Sequence, residues 1–323
     1  MSARARVLAT VAAAAALVVA GTVTLTWLQS RGESRSPAGA VTKPRAGRPP
    51  LTFDFGVRAD AQARALAQGS RLLRAGRAAA AERIFGRYHS VEAQIGVAFA
   101  RWPDHGLETL EHLVASHPGS ATAQLHLGWA LLWTGRAADA ARQFERVDAG
   151  FPDSAEAVTA EDVLYPKMAP NLPYIVVGQS LPAAATAADQ LRLAARAARR
   201  PVVDAKLRYG LALWSLGHRL SAERQFQAAA ALAPRNPAAL TAAAVAAFTK
   251  RNPVRAFSQL GPLTGRFPRA AVVRLHLGIV LLWTGRIAKA KKQLRLAVLY
   301  EPGSPWATTA RQLLSAIPTN GTK

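Results

Sequence analysis

The chain contains no cysteine, which excludes disulfides, Cys-ligated zinc and thiol catalysis. Acidic residues are scarce, 19 Asp and Glu against 41 Lys and Arg, and no carboxylate pair suggests general acid–base work. Phosphate-binding, dinucleotide-binding, zinc-protease and nucleophile-elbow motifs are all missing. Glu108 and His112 are spaced i, i+4 with His117 close by, but a metal needs three or four convergent ligands. No catalytic residue, metal or cofactor is therefore expected, and the chain reads as a non-enzyme. Runs of β-branched residues are scarce beyond the N-terminus, while Ala and Leu dominate, a composition that favours helix.

The net charge of +22 admits two readings. One is an acidic partner such as anionic lipid, a wall polymer or nucleic acid. The other is a solvated set of helix faces in an Arg- and Ala-rich chain. The arginines are scattered and form no stripe interleaved with aromatics, so nucleic acid is not expected as a partner.

What the chain does have is a repeat. Leu125-His126-Leu127-Gly128, Leu131-Leu132-Trp133-Thr134-Gly135-Arg136, Ala140, Phe144 and Pro152 return 150 residues later as Leu275-His276-Leu277-Gly278, Leu281-Leu282-Trp283-Thr284-Gly285-Arg286, Ala290, Leu294 and Pro302. Tyr209-Gly210, Leu213, Gly217, Ala222, Phe226 and Pro234 make a third copy. Gln68-Gly69, Leu72, Gly76, Ala81 and Phe85 make a fourth. Two degenerate copies run Ala98, Gly106, Leu110, Leu113, Pro118 and Ala247, Ala256, Leu260, Leu263, Pro268. A small residue lets two helices cross closely, large apolar residues fill the gap, and proline ends the second helix.

This pattern resembles the tetratricopeptide repeat (TPR), a helix–turn–helix unit of about 34 residues. The fold class implied is all-α: a right-handed superhelix of about six repeats in two homologous halves. Ser154, Ala157, Thr159, Ala160 and Leu164 match Ser304, Ala307, Thr309, Ala310 and Leu314, as capping helices would.

In chain order, residues 1–6 form a short tail with Arg4 and Arg6. Residues 7–28 are uncharged, near the ~20 residues that cross a bilayer core, and are expected to be a single-span anchor. Arg31, Arg35, Lys43, Arg45 and Arg48 follow it and pull against the tail in setting orientation. The short tail and early apolar run favour an extracytoplasmic body on the cell membrane. Residues 29–52, rich in Pro, Gly, Ser and Arg, read as a disordered linker. Residues 53–166 form the first half, starting at Phe53 and Phe55, with a helix over 57–75 stopped by Gly76. Residues 167–202 are an insertion: Pro166, Pro170, Pro173 and Pro182 exclude regular helix before a connecting helix over 183–199. Residues 203–318 are the second half.

The resemblance also implies a concave face lined by the first helix of each repeat, where extended peptides or partner helices bind. Carried onto this chain, that face holds Leu125, His126, Trp129, Leu132 and Trp133, then Leu207, Arg208, Leu211 and Trp214, then Leu275, His276, Ile279, Leu282 and Trp283. Family grooves that grip a peptide carboxylate use Lys, Arg and Asn; this face is apolar and aromatic, which favours a hydrophobic protein or peptide segment. The residues leave two alternatives open. The tryptophans and histidines pack as core, or residues 172–177, apolar and bounded by proline, fill the groove from within. The expected function is a non-catalytic, membrane-tethered scaffold that binds a protein or peptide in this groove, with cell-envelope assembly as a setting. The alternative is a basic adaptor for an anionic polymer or lipid head groups.

Overall fold

The computed structural model describes residues 43–178, 180–181 and 183–317. Among them are fifteen helices and no strand. The first half runs α1 (Ala61–Arg74), α2 (Ala78–Phe85), α3 (Val91–Ala100), α4 (Gly106–Ser116), α5 (Ala121–Trp133), α6 (Ala137–Gly150) and α7 (Ala155–Leu164). A connecting helix, α8 (Ala187–Ala197), leads to the second half: α9 (Val203–Ser215), α10 (Arg219–Leu232), α11 (Pro237–Ala246), α12 (Val254–Arg266), α13 (Ala271–Trp283), α14 (Ile287–Tyr300) and α15 (Pro305–Ala316).

Each helix packs on its successor except α7, which does not touch α8; α1, α3, α5 and α7 also pack on one another in series, as do α9, α11, α13 and α15. These form the inner layer of each half. The shorter-range partners α2, α4, α6 and α10, α12, α14 form the outer layer. The hairpin is closed by one recurring contact. A Cβ on Gly69, Gly128 or Gly210 would sit 2.5–2.7 Å from the rings of Phe85, Phe144 and Phe226, each sixteen residues on. At Gly278 the partner is Leu294, at 2.8 Å. Those partner side chains are buried, and truncating such a ring costs about 3–5 kcal/mol.

Local chemistry sets the helix ends. Ser90, Ser120, Ser154 and Ser304 each accept the backbone N–H three residues on, satisfying a donor the helix cannot. Ala270 cannot cap α13 where Ser120 caps α5. There Glu301 Oε1 accepts the Ala271 N–H instead, at 3.1 Å. Between inner and outer helices, Gly135 and Gly285 hold φ of +84° and +73°, a left-handed turn that glycine takes without strain.

The halves meet through buried ions. Arg219 reaches Asp148 at 2.7 Å and Glu161 at 2.8 Å, and its Nε donates to the Pro152 carbonyl at 2.9 Å. Lys250 pairs with Asp162. Burial pushes the Glu161 and Asp162 carboxyls up, against the pull of Arg219 and Lys250 respectively.

Three expectations need correction. The first helix begins at Ala61 rather than 57, because the Asp60 side chain accepts the Ala63 N–H at 2.8 Å and fixes the start there. The connecting helix is shorter than 183–199 for the same reason: Thr186 caps it. Residues 43–52, assigned to a disordered linker, are held against the first half, with Pro49 and Leu51 buried. The anchor expected over residues 7–28 lies outside the described residues. Among the described residues no helix is long and apolar enough to cross a membrane.

Candidate functional site

The inner helices α5 and α13 each carry a buried histidine, a consequence of the repeated Leu-His-Leu-Gly. His126 Nδ1 lies 2.7 Å from the Thr122 carbonyl one turn back, and His276 Nδ1 lies 2.7 Å from that of Val272. A carbonyl only accepts, so Nδ1 carries the proton and Nε2 is left as a bare acceptor. Burial pushes both imidazoles down to about 4, against the opposing effect of the carbonyl bond, so they are neutral at ordinary pH.

Each Nε2 is used. Thr52 donates its backbone N–H to His126 at 3.2 Å, and Val176 donates its own to His276 at 2.9 Å. Seven residues upstream the pattern repeats. The Arg45 N–H donates to the Trp133 carbonyl at 2.8 Å, and the Ala169 N–H to the Trp283 carbonyl at 3.0 Å. Those carbonyls end α5 and α13, where the helix has no donor for them.

Two segments of the chain therefore lie along two homologous grooves in one register. The segments are spaced by 124 residues, whereas the helices they meet are spaced by 150. The match extends to conformation. Gly47 and Asn171 share a position and a positive φ, +77° and +62°. Pro49 and Pro173 are both buried. Leu51 is 8% exposed and Ile175 5%.

The fastenings differ. In the second groove three indole N–H groups hold the segment. Trp283 donates to Asn171 O at 3.1 Å, Trp214 to Pro173 O at 2.8 Å and Trp306 to Val176 O at 3.0 Å. Asp162 accepts the Asn171 N–H at 3.0 Å while pairing with Lys250, tying the segment to the joint between halves. The Tyr174 ring stands edge-on to Trp283 at 5.1 Å.

In the first groove the arm has Phe53 against Phe85 and His126, at 6.3 and 5.3 Å. Arg48 donates to the Ala100 carbonyl at 3.2 Å, and the Arg45 guanidinium lies over the Trp133 ring at 4.9 Å. The indole N–H groups of Trp129 and Trp133 are buried and meet no acceptor among the described residues. A cavity of about 470 Å³ opens beside the arm, between Arg45, Arg48, Trp102 and Trp133.

Of the residues expected on the concave face, His126 and Trp133 meet the arm, and Trp214, His276 and Trp283 meet the second segment. Leu211 shares a cavity wall with Tyr174 and Trp214. Leu125, Leu207, Leu275 and Ile279 belong to the buried cores of their halves. Trp129 packs on Phe144 of α6 at 5.4 Å and on Trp133 at 6.0 Å. Leu132 and Leu282 are half-buried, and Arg208 bonds within its own helix, to Asp204 O. Sequence reasoning missed Trp306, Asp162 and the arm itself. The shared Pro-x-Leu/Ile of 49–51 and 173–175 was the available signal for the arm; Trp306 has Glu156 at the aligned position and offered none.

Among the described residues no three His, Asp or Glu side chains converge as a metal site. Glu108 lies 3.3 Å from His105 on an exposed surface.

No protein-family profile matches the chain, and no curated protein matches it. Solved structures similar to it include a tetratricopeptide repeat protein from Parabacteroides merdae, at 12% identity over 79% of this chain and 98% of that one, with a TM-score of 0.33. The TPR2AB-domain:pHSP90 complex of yeast Sti1 is 11% identical over 79% and 97%, with a TM-score of 0.30. A TPR protein of Thermus thermophilus is 16% identical over 79% and 98%, with a TM-score of 0.26. At these identities and scores the likeness lends no weight to any reading of function.

Proposed function

We propose that the protein is a non-catalytic scaffold whose first groove takes an extended segment of a partner protein in exchange for its own arm. The carrying observation is the common register of the two groove occupants. A groove that holds Arg48-Pro49-Pro50-Leu51-Thr52 in one half and Leu172-Pro173-Tyr174-Ile175-Val176 in the other reads backbone groups and a few apolar side chains, not one sequence. His126 supplies the acceptor for a backbone N–H, the Trp133 carbonyl a second, and the two unpaired indoles supply donors. Residues 7–28 would tether the scaffold to the cell membrane with its solenoid outside the cytoplasm, among partners of the envelope.

The test uses the full chain with Leu51→Asp and Phe53→Asp, which puts charge where the arm is apolar and ejects it. A labelled peptide with the sequence of residues 169–177 is then titrated. Binding at least tenfold tighter than to the unaltered chain is expected, and His126→Leu in the same background should abolish it. No binding to the arm-ejected protein, with its helical circular dichroism intact, would sink the proposal.

A further inference from the structure

The two halves share a backbone plan but not a surface. Residues 53–166 carry 11 Lys and Arg against 14 Asp and Glu, whereas residues 203–318 carry 17 against 3. The contrast is sharpest on the last outer helix of each half. On α14, Lys289, Lys292, Arg295 and Leu299 are exposed at spacings of three, three and four, which places them on one helix face. The aligned residues of α6 are Asp139, Arg142, Glu145 and Ala149. Asp139 there is paired with both Arg136 and Arg142. None of Lys289, Lys292 and Arg295 is in an ion pair with a described residue. In the same half, Arg266 and Arg269 stand exposed at and just after the end of α12, where the first half has Ser116 and Gly119.

A second observation selects among anionic partners. All six exposed large hydrophobic side chains among the described residues lie between 193 and 299, and the two most exposed are Leu299 at 69% and Val254 at 65%. Both belong to outer helices of the second half. A nucleic acid or an acidic polymer rewards the cations but offers Leu299 no apolar phase. A bilayer surface rewards both, the cations at the head groups and the leucine at the acyl boundary.

We propose that the outer layer of the second half, centred on the α14 stripe, docks on an anionic phospholipid surface, while the first half stays off it. The proposal is independent of the groove reading, since the stripe lies on the outer layer and the grooves are lined by the inner one.

The absence of cysteine makes the test direct. Ala288 on α14 and Ala138 on α6 are aligned and both exposed. A single cysteine is placed by Ala288→Cys or by Ala138→Cys in the full chain and labelled with a polarity-sensitive fluorophore. Each protein is combined with vesicles of phosphatidylcholine, or of phosphatidylcholine mixed with phosphatidylglycerol. The label at 288 should shift to the blue and be shielded from an aqueous quencher in the anionic vesicles only; the label at 138 should do neither. Because the two reporters sit at aligned places in the same chain, insertion of residues 7–28 does not by itself produce the difference. Neutralising Lys292 or Arg295 to Gln should each weaken docking about fivefold, and Leu299→Gln should weaken it without changing its salt dependence. These side chains are exposed, so an unchanged thermal midpoint is expected and is the control for folding. Equal responses at 288 and 138, or a response in pure phosphatidylcholine, would overturn the proposal. So would equal shielding of the 288 label by a free oligonucleotide in place of vesicles.

Discussion

The two grooves of this protein are lined alike and filled alike, yet only one is locked. Both present a buried neutral histidine to a backbone N–H and a terminal helix carbonyl to another. The second adds three tryptophan donors and the Asp162 link to the inter-half ion pairs. Its occupant lies between the halves, so the chain restrains it at both ends. The arm in the first groove enters from the N-terminal side, and the buried indole N–H of Trp133, which the arm touches, finds no acceptor among the described residues. A buried donor without an acceptor costs about 1–3 kcal/mol, which weakens the arm's hold relative to its counterpart. One repeat plan thus yields two grooves with differently fastened contents, the second bound by more hydrogen bonds from side chains than the first.

The largest expected effect separates the tryptophans. Trp283 is 1% exposed, donates to the Asn171 carbonyl and meets the Tyr174 ring edge-on, so Trp283→Ala should cost about 4 kcal/mol of global stability. Trp133→Ala, paired with Trp129→Ala, should release the arm and cost clearly less for each ring. Denaturant unfolding of both variants decides this; equal losses per ring would mean that the first groove is core as well.

Acid should strike what the grooves share. Both histidines are held near 4 against an ordinary 6.5, so the unfolded chain takes up these protons first. Stability is then full above about pH 6.5 and falls as pH drops toward 4, by roughly 3 kcal/mol for each histidine. His126→Leu and His276→Leu should each flatten the unfolding-versus-pH curve between those values. A curve unchanged by either would break the assignment of the neutral tautomer.

The smallest effect sharpens the comparison most. Ile175→Ala should cost about 3 kcal/mol, whereas Leu51→Ala should cost about 1 kcal/mol globally, because the arm opens locally before the half unfolds. Amide exchange reads the same difference: the Thr52 N–H should exchange at least tenfold faster than that of Val176. Equal protection at the two positions would remove the distinction between a fixed and a displaceable occupant.

Much of the fold was legible because a hairpin is a local event. Gly128 and Phe144 are sixteen residues apart, and that spacing, recurring at Gly69, Gly210 and Gly278, places a small residue opposite a large one wherever two helices cross. Serine caps and turn glycines mark the ends by short-range chemistry. His126, Trp133, His276 and Trp283 were legible as residues of one face, since they recur at one offset. What they face was not. An extended segment carries no periodicity, and Arg45–Pro50 has the composition of a linker because it satisfies its backbone against another part of the chain. The tie between residues 45–52 and 169–176 runs at an offset different from that of the helices, so aligning the repeats does not expose it.

By itself the sequence determined that short amphipathic hairpins, unable to bury their faces alone, stack in two series, because the spacing of small and large residues imposes close crossings wherever it recurs. Only the tertiary structure decided that each hollow is filled by the protein's own backbone and how firmly. Those contacts join residues about 40 to 130 positions apart, and what each occupant contributes to them is main-chain N–H and carbonyl groups that nearly every residue type carries alike.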